Sequence, residues 1–256
     1  MTQQRRTIHL YLLVYLLSIS LIPTLSPSPL FTYLPPWLVI TTAQADTENA
    51  AGVWTSSLTN IRFDDSWMGT FMVEPRVVFD TSTPERDGKV RQLLVLGSVG
   101  YALSEHITVA QGYANLPSYN PKRIEHRAFQ DLIGRHASGG WRIIERIRLE
   151  ERFLEGVRGV SLRGRFLARA QHPLPFVPSL SGVVSEELFL NFTEPASHGP
   201  QSGFDQNRFF LGLNVPLDTD ISFEFGYMNL FLEQGGPSPS VSNHLGIISV
   251  IGNFAL

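Results

Sequence analysis

The side chains best able to do chemistry in this 256-residue chain recur at alternate positions. In Arg146-Ile147-Arg148-Leu149-Glu150-Glu151-Arg152-Phe153, a period of two puts Arg146, Arg148, Glu150 and Arg152 on one face. Ile147, Leu149 and Phe153 take the other face, and Glu151 is the exception. The same alternation carries Glu74 with Arg76, Glu125 with Arg127, then Arg163, Arg165, Arg169, Glu187, Arg208 and Glu224. Guanidinium is planar and always charged, so it can bridge carboxylates on neighbouring strands.

Three chemistries fit such a set. The first is structural: Arg–carboxylate pairs filling a narrow bore. The second is a selectivity ring for a small anionic solute, because arginines outnumber carboxylates in the set. The third is catalysis, which for a lipid-modifying barrel needs a His beside a Ser, or a carboxylate pair, at the lipid-facing rim. The candidate histidines are His126, His136, His172, His198 and His244, and Ser185 and Ser249 lie in strands. Nothing in the sequence pairs those serines with a histidine, so no catalytic residue is assigned. The chain has no cysteine, which removes thiolate ligands, thiol nucleophiles and disulfides together. No cofactor and no metal are expected.

Strands of about ten residues must position these charges. Past Asp46 no window keeps a helical period, and turn chemistry separates eleven segments. They are 53–63, 67–79, 90–103, 107–115, 125–134, 140–153, 159–172, 182–191, 206–217, 220–231 and 243–254. From Trp67, one face reads Trp67, Gly69, Phe71, Val73, Val77 and Phe79; the other reads Met68, Thr70, Met72, Glu74 and Arg76. In 206–217 Phe210 joins the polar set, where it can cap the bore. Apolar on one face and doubly charged on the other describes a sheet closed inside out, with charges in the lumen. The fold class is therefore an antiparallel up-and-down transmembrane β-barrel of 10 to 12 strands. Bacterial barrels have even strand counts, so twelve is the expected number, with ten if 53–63 is not a wall strand. That reading requires Phe71, Leu149 and Phe166 outermost and the arginines enclosed.

Connections support it. Asp64-Asp65-Ser66, Ser104-Glu105-His106 and Asp218-Thr219 read as tight turns. Asp80 to Lys89, Leu116 to Ile124, Phe192 to Asp205 and Leu232 to Ser242 read as long loops. The stretch Pro173 to Ser181 reads as a long loop where a tight turn is due. Trp54, Trp67 and Trp141 near strand ends fit aromatic girdles, as do Tyr101, Tyr113 and Tyr227. Glycines at 97, 100, 112, 164, 212 and 226 imply close approach to bulky neighbours. No internal repeat beyond the hairpin is expected.

Composition agrees. Charged residues are 17% of the chain, below the quarter usual for soluble domains, while apolar residues at 43% are too few for helical spans. A formal charge of −3 excludes a nucleic-acid partner as the default. Arg5 and Arg6 precede an apolar run from Ile8 to Ile22, which Pro23, Pro27 and Pro29 end, and Ala43-Gln44-Ala45 is a small-x-small cleavage site. This makes 1–45 a signal peptide and 46–256 the barrel domain of an exported, Gram-negative outer-membrane protein. Its expected partners are outer-membrane lipid, lipopolysaccharide and the barrel-assembly machinery. That machinery reads a terminal aromatic, and here Phe254 stands two residues from the end.

An ordered set of motifs then resembles the family named domain of unknown function (DUF) 2490, from about Val53 to the end. They are Trp54-Thr55-Ser56, Glu125-His126-Arg127 with Gln130, and Arg146 to Arg152. Glu187-Leu188-Phe189-Leu190-Asn191, Asp205-Gln206-Asn207-Arg208 with Gly212, and Gly226-Tyr227 complete it. The resemblance implies an outer-membrane, porin-like β-barrel and supplies no activity or catalytic residue. The function expected is a structural barrel or narrow, plugged pore with an Arg/Glu-lined lumen. The alternatives are a lipid or lipopolysaccharide-modifying hydrolase and a soluble periplasmic ligand-binding barrel.

Overall fold

The computed structural model describes residues 47–79, 90–119, 121–195, 199–233 and 239–256. The expected leader, 1–45, lies outside the described residues, as do the loop at 80–89 and His198. The unit Glu48–Leu256 is compact and carries the sheet. Its strands are β1 (Thr47–Arg62), β2 (Trp67–Phe79), β3 (Val90–Ala102), β4 (Ile107–Tyr119), β5 (Lys122–Ser138) and β6 (Trp141–Leu154). They continue as β7 (Ser161–Leu174), β8 (Val177–Asn191), β9 (Gly203–Pro216), β10 (Ile221–Leu232) and β11 (Ser240–Ala255). Each pairs with its sequence neighbour, and β1 beside β11 closes the barrel.

Among the described residues the count is eleven, not the twelve that the even-number rule favours, and β1 is a true wall strand. An odd count is met by one parallel pair. Sequential neighbours are antiparallel, so β1 and β11 run the same way. Side chains across their junction show the constant offset that this demands: Ser56 with Ser249 at 2.7 Å and Asn60 with Asn253 at 3.0 Å, each 193 residues apart.

Polarity is reversed, as the alternation requires. Phe71, Leu149 and Phe166 are 51%, 40% and 38% exposed, while Arg148 is 5% and Glu150 1% exposed. Val99, Leu132, Ile147 and Leu211 extend the exposed apolar belt. Phe63, Trp67, Tyr101, Trp141 and Phe254 cluster near one rim, and Tyr119, Phe153, Phe192 and Phe204 near the other. Trp54 departs from the expected girdle. It faces inward and is buried with Val183, Phe210, Met228, Leu230 and Leu245. A second internal cluster joins Leu94, Leu96, Ala114, Leu116 and Phe129.

One rim is made of tight turns, and its caps explain them. The Asp64 carboxylate accepts the Ser66 and Trp67 amides at 2.7 Å each, which holds its pKa below the ordinary aspartate range. Ser104 accepts the His106 and Ile107 amides, and Asp218 accepts those of Asp220 and Ile221. Gly139 and Gly140 join β5 to β6 with φ of 59° and 83°, the positive pair a two-residue hairpin needs. The Pro173 to Ser181 stretch also forms a tight turn here: β7 runs to Leu174, β8 starts at Val177, and a register shift at Pro173/Leu174 absorbs the proline that cannot donate. At the opposite rim the expected Leu116 to Ile124 loop shrinks likewise, because β4 and β5 stay paired out to Tyr119 and Lys122.

Candidate functional site

The site is the lumen, built at its centre by β5 to β8. Register sets the first contacts: Asp131 stands opposite Arg148, and Glu150 opposite Arg163. Arg148 donates Nε and Nη2 to the two oxygens of Asp131, both at 2.7 Å. Glu150 lies between Arg163 at 2.5 Å and Arg165 at 2.7 Å. Arg165 also reaches Glu187 at 2.7 Å, and Glu187 accepts Arg146 at 2.6 Å. Glu125 takes Arg127 at 2.7 Å and Arg152 at 2.6 Å. Arg76 meets Glu74 at 2.7 Å and donates to Gln92 at 2.7 Å. Arg169 pairs with Glu224. Arg208 is held most loosely, with Glu187 Oε2 at 3.9 Å. All the lumen charges read from the alternation therefore meet a partner of opposite sign inside one enclosure.

Two carboxylates of the network escaped the sequence reading. Asp131 continues the inward run Glu125, Arg127, Phe129, and that period could have found it. Asp205 could not be found that way. The β8–β9 ladder slips between Phe189 and Leu190, skipping Asp205, so Asp205 and Gln206 both line the lumen. Asp205 accepts Arg163 Nη1 at 2.8 Å.

Aromatic faces hold the guanidinium groups from the side. Arg148 sits 3.7 Å over Phe129, Arg165 and Arg208 lie 4.5 Å and 4.6 Å from Phe189, and Arg76 is 4.1 Å from Trp54. Glycines make the room. Phe129 folds over Gly112, and Phe210 over Gly212 and Gly226, so tightly that an added Cβ would collide with the ring. These ion pairs and the rings beside them form a plate across the bore, and it splits the interior into two vestibules. That at the wide-loop rim is ≈ 1140 Å³ and that at the tight-turn rim ≈ 520 Å³. Arg76, Arg127 and Arg208 line both, so they stand in the partition.

The candidate histidines go elsewhere. His126 is hydrogen-bonded through Nδ1 to the Tyr113 hydroxyl on the outer wall, and His244 to that of Tyr227 at 2.6 Å. The two ring pairs are near copies, with centroids 6.0 Å apart at 26° and 25°. They disclose a repeat missed in the sequence: Gly112-Tyr113-Ala114-Asn115-Leu116 and Gly226-Tyr227-Met228-Asn229-Leu230. These stretches lie on β4 and β10, nearly opposite in the ring of strands. His136 faces Glu145 at 3.5 Å, and His172 packs against Trp141 with its ring tilted by 45°. Ser249 bonds Ser56 within the lumen. Among the described residues no group of His, Asp or Glu could hold a metal.

Fold and site together define a closed β-barrel with an inverted polarity and an ion-paired interior. The chain belongs to the family described as "Protein of unknown function (DUF2490)", whose pattern matches residues 51–240. An uncharacterized protein of Methylorubrum extorquens is 32% identical over 145 residues, covering 54% of this chain. The match spans 62% of that relative's length. No solved structure matches the chain.

Proposed function

We propose that this chain is an outer-membrane β-barrel whose lumen is closed at mid-height by its arginine–carboxylate plate. The observation that carries the reading is the exposed belt of Phe71, Val99, Leu132, Ile147, Leu149 and Leu211 around an enclosed set of ion pairs. In water, an apolar belt of this extent would be an aggregation surface; against lipid tails it is solvated. The charges need the converse, since guanidinium and carboxylate are costly in hydrocarbon and here face one another inside. Eight strands leave a bore just filled by side chains, whereas sixteen or more leave a water channel, and eleven strands with long Arg and Glu side chains stay near the filled limit.

Two measurements test this. Heat-modifiable migration on a gel, with the protein in the outer-membrane fraction, is the expected outcome; a soluble periplasmic species would overturn the membrane assignment. Reconstitution in planar bilayers should give no large stable current, and a steady open conductance would overturn the closure. The partners are then lipid and lipopolysaccharide around the belt and the assembly machinery during insertion, with outward-facing Phe254 in the final strand as the aromatic signal.

A further inference from the structure

The outer wall carries polar side chains that a closed lumen does not use, and they gather on β4, β5 and β6. Register lays them out as a grid. Gln111 stands opposite Gln130, Tyr113 opposite Ala128, which in turn faces Glu151, and Asn115 opposite His126. They share the outward face with Val109, Leu132 and Leu149, all exposed. Gln111 and His126 are exposed themselves, and Gln130 and Glu151 are half-buried. Among the described residues, the side chains of Gln111, Gln130 and Glu151 meet no hydrogen-bond or ion-pair partner. His126 engages the Tyr113 hydroxyl through Nδ1, and its Nε2 is left free.

The internal repeat supplies the contrast. On β10 and β11 the same Tyr–His pair is completed within the wall: His244 Nε2 meets Asn49 at 3.2 Å, and Asn229 donates to Ser242 at 2.8 Å. In the copy on β4 and β5, Ile124 takes the position of Ser242, and His126 Nε2 has no counterpart of Asn49. Elsewhere on the outer face Asn207 donates to Glu186, and His136 faces Glu145. Unpaired amide and carboxylate groups therefore concentrate in one sector of the wall.

Depth selects the partner. Gln130 stands at the midpoint of β5, which runs from Lys122 to Ser138, with Gln111 beside it. In a bilayer that level is hydrocarbon, beyond the reach of headgroups and water, where an unpaired amide is costly. A second protein wall can pair it. A primary amide donates and accepts at once, so a glutamine pair is complementary to its own copy. With the Tyr113 hydroxyl donating to Nδ1, His126 carries its proton on Nε2 as a donor, and the Glu151 carboxylate is an acceptor. A two-fold contact presents one patch from both sides, which is what a face with matched donors and acceptors fits. We propose that this chain pairs with a second copy of itself through the β4–β6 wall, with Gln111 and Gln130 at the centre of the contact. The contact rests on the outer-membrane reading, because in water the same amides would simply be hydrated.

The native chain has no cysteine, so single cysteines can report the contact in place. Gln111→Cys and Gln130→Cys are each oxidised in isolated outer membranes with copper phenanthroline. Ile248→Cys, on the exposed face of β11 across the ring, is the control. A reductant-sensitive band at twice the mass of the chain is expected from at least one glutamine variant and not from Ile248→Cys. In detergent, the Gln111→Leu, Gln130→Leu double variant should raise the dimer dissociation constant about tenfold by sedimentation, with heat-modifiable migration kept. If that variant does not fold, the cross-links decide alone. Cross-linking by neither glutamine variant, equal cross-linking at Ile248, an adduct of another mass or an unchanged dissociation constant overturns the proposal. A monomer in the outer-membrane fraction sinks this contact alone. A chain recovered from the periplasm sinks the membrane reading, whatever its state of association.

Discussion

At the scale of single residues, the lumen and the outer wall make unlike demands on the same bond types. Arg148 offers Asp131 a two-pronged contact out of water, so Arg148→Ala strands a buried carboxylate. A loss of about 3–5 kcal/mol is expected by denaturant unfolding, and an unchanged midpoint would show that the plate is loose and wet. Tyr113→Phe removes a hydrogen bond on an exposed wall, where the hydroxyl can be replaced by solvent or headgroup. It should change stability by no more than about 1 kcal/mol in the same assay. Asp64 gives the pH dependence that can be argued with its sign. Its folded-state pKa is depressed by the two turn amides, so the turn is supported above the unfolded pKa and loses that support as pH falls through the depressed value. The protection of the Trp67 amide, taken relative to the intrinsic exchange rate at each pH, should therefore fall on acidification in the wild type, and Asp64→Asn should flatten that dependence.

Among the elements, legibility followed from periodicity and failed where the pleat was broken. The inward and outward faces of β2, β6 and β7 could be read because every second side chain changes surroundings abruptly. Asp205 was illegible because a bulge suspends the period for one residue. Trp54, Phe129 and Phe189 were misread or passed over for a different reason. An inverted barrel is expected to be polar within, yet its arginines need flat apolar surfaces to rest on, so aromatic side chains belong on both faces. Pro173 suggested a loop by composition, but a two-residue turn with a register slip accommodates it. The fit between strands predicts the outcome at Phe129, fully buried over Gly112. Phe129→Ala should cost about 3–5 kcal/mol through the void it leaves beneath Arg148. Thermal unfolding of the detergent-solubilised barrel reads this, and a small shift would mean the neighbouring strands collapse into the gap.

For the whole molecule, the even-number expectation failed because it assumes that every strand leaves and returns as part of a hairpin. One unpaired partner remains here, and the junction of β1 with β11 takes it up. The Ser56 and Ser249 hydroxyls meet at 2.7 Å across that junction, and the native chain has no cysteine to interfere. A Ser56→Cys, Ser249→Cys double variant should form a disulfide on oxidation, seen as a reductant-sensitive change in the migration of the denatured chain. Failure to cross-link under conditions that preserve the folded band would rule out this closure. With the barrel in the outer membrane as proposed, the odd ring also has a vectorial consequence. A chain that threads a bilayer an odd number of times does not come home: the beginning of its first strand and the finish of its last emerge on opposite shores. An epitope beside each end would then answer to added protease on different sides, one cut in intact cells and the other only after the envelope is breached.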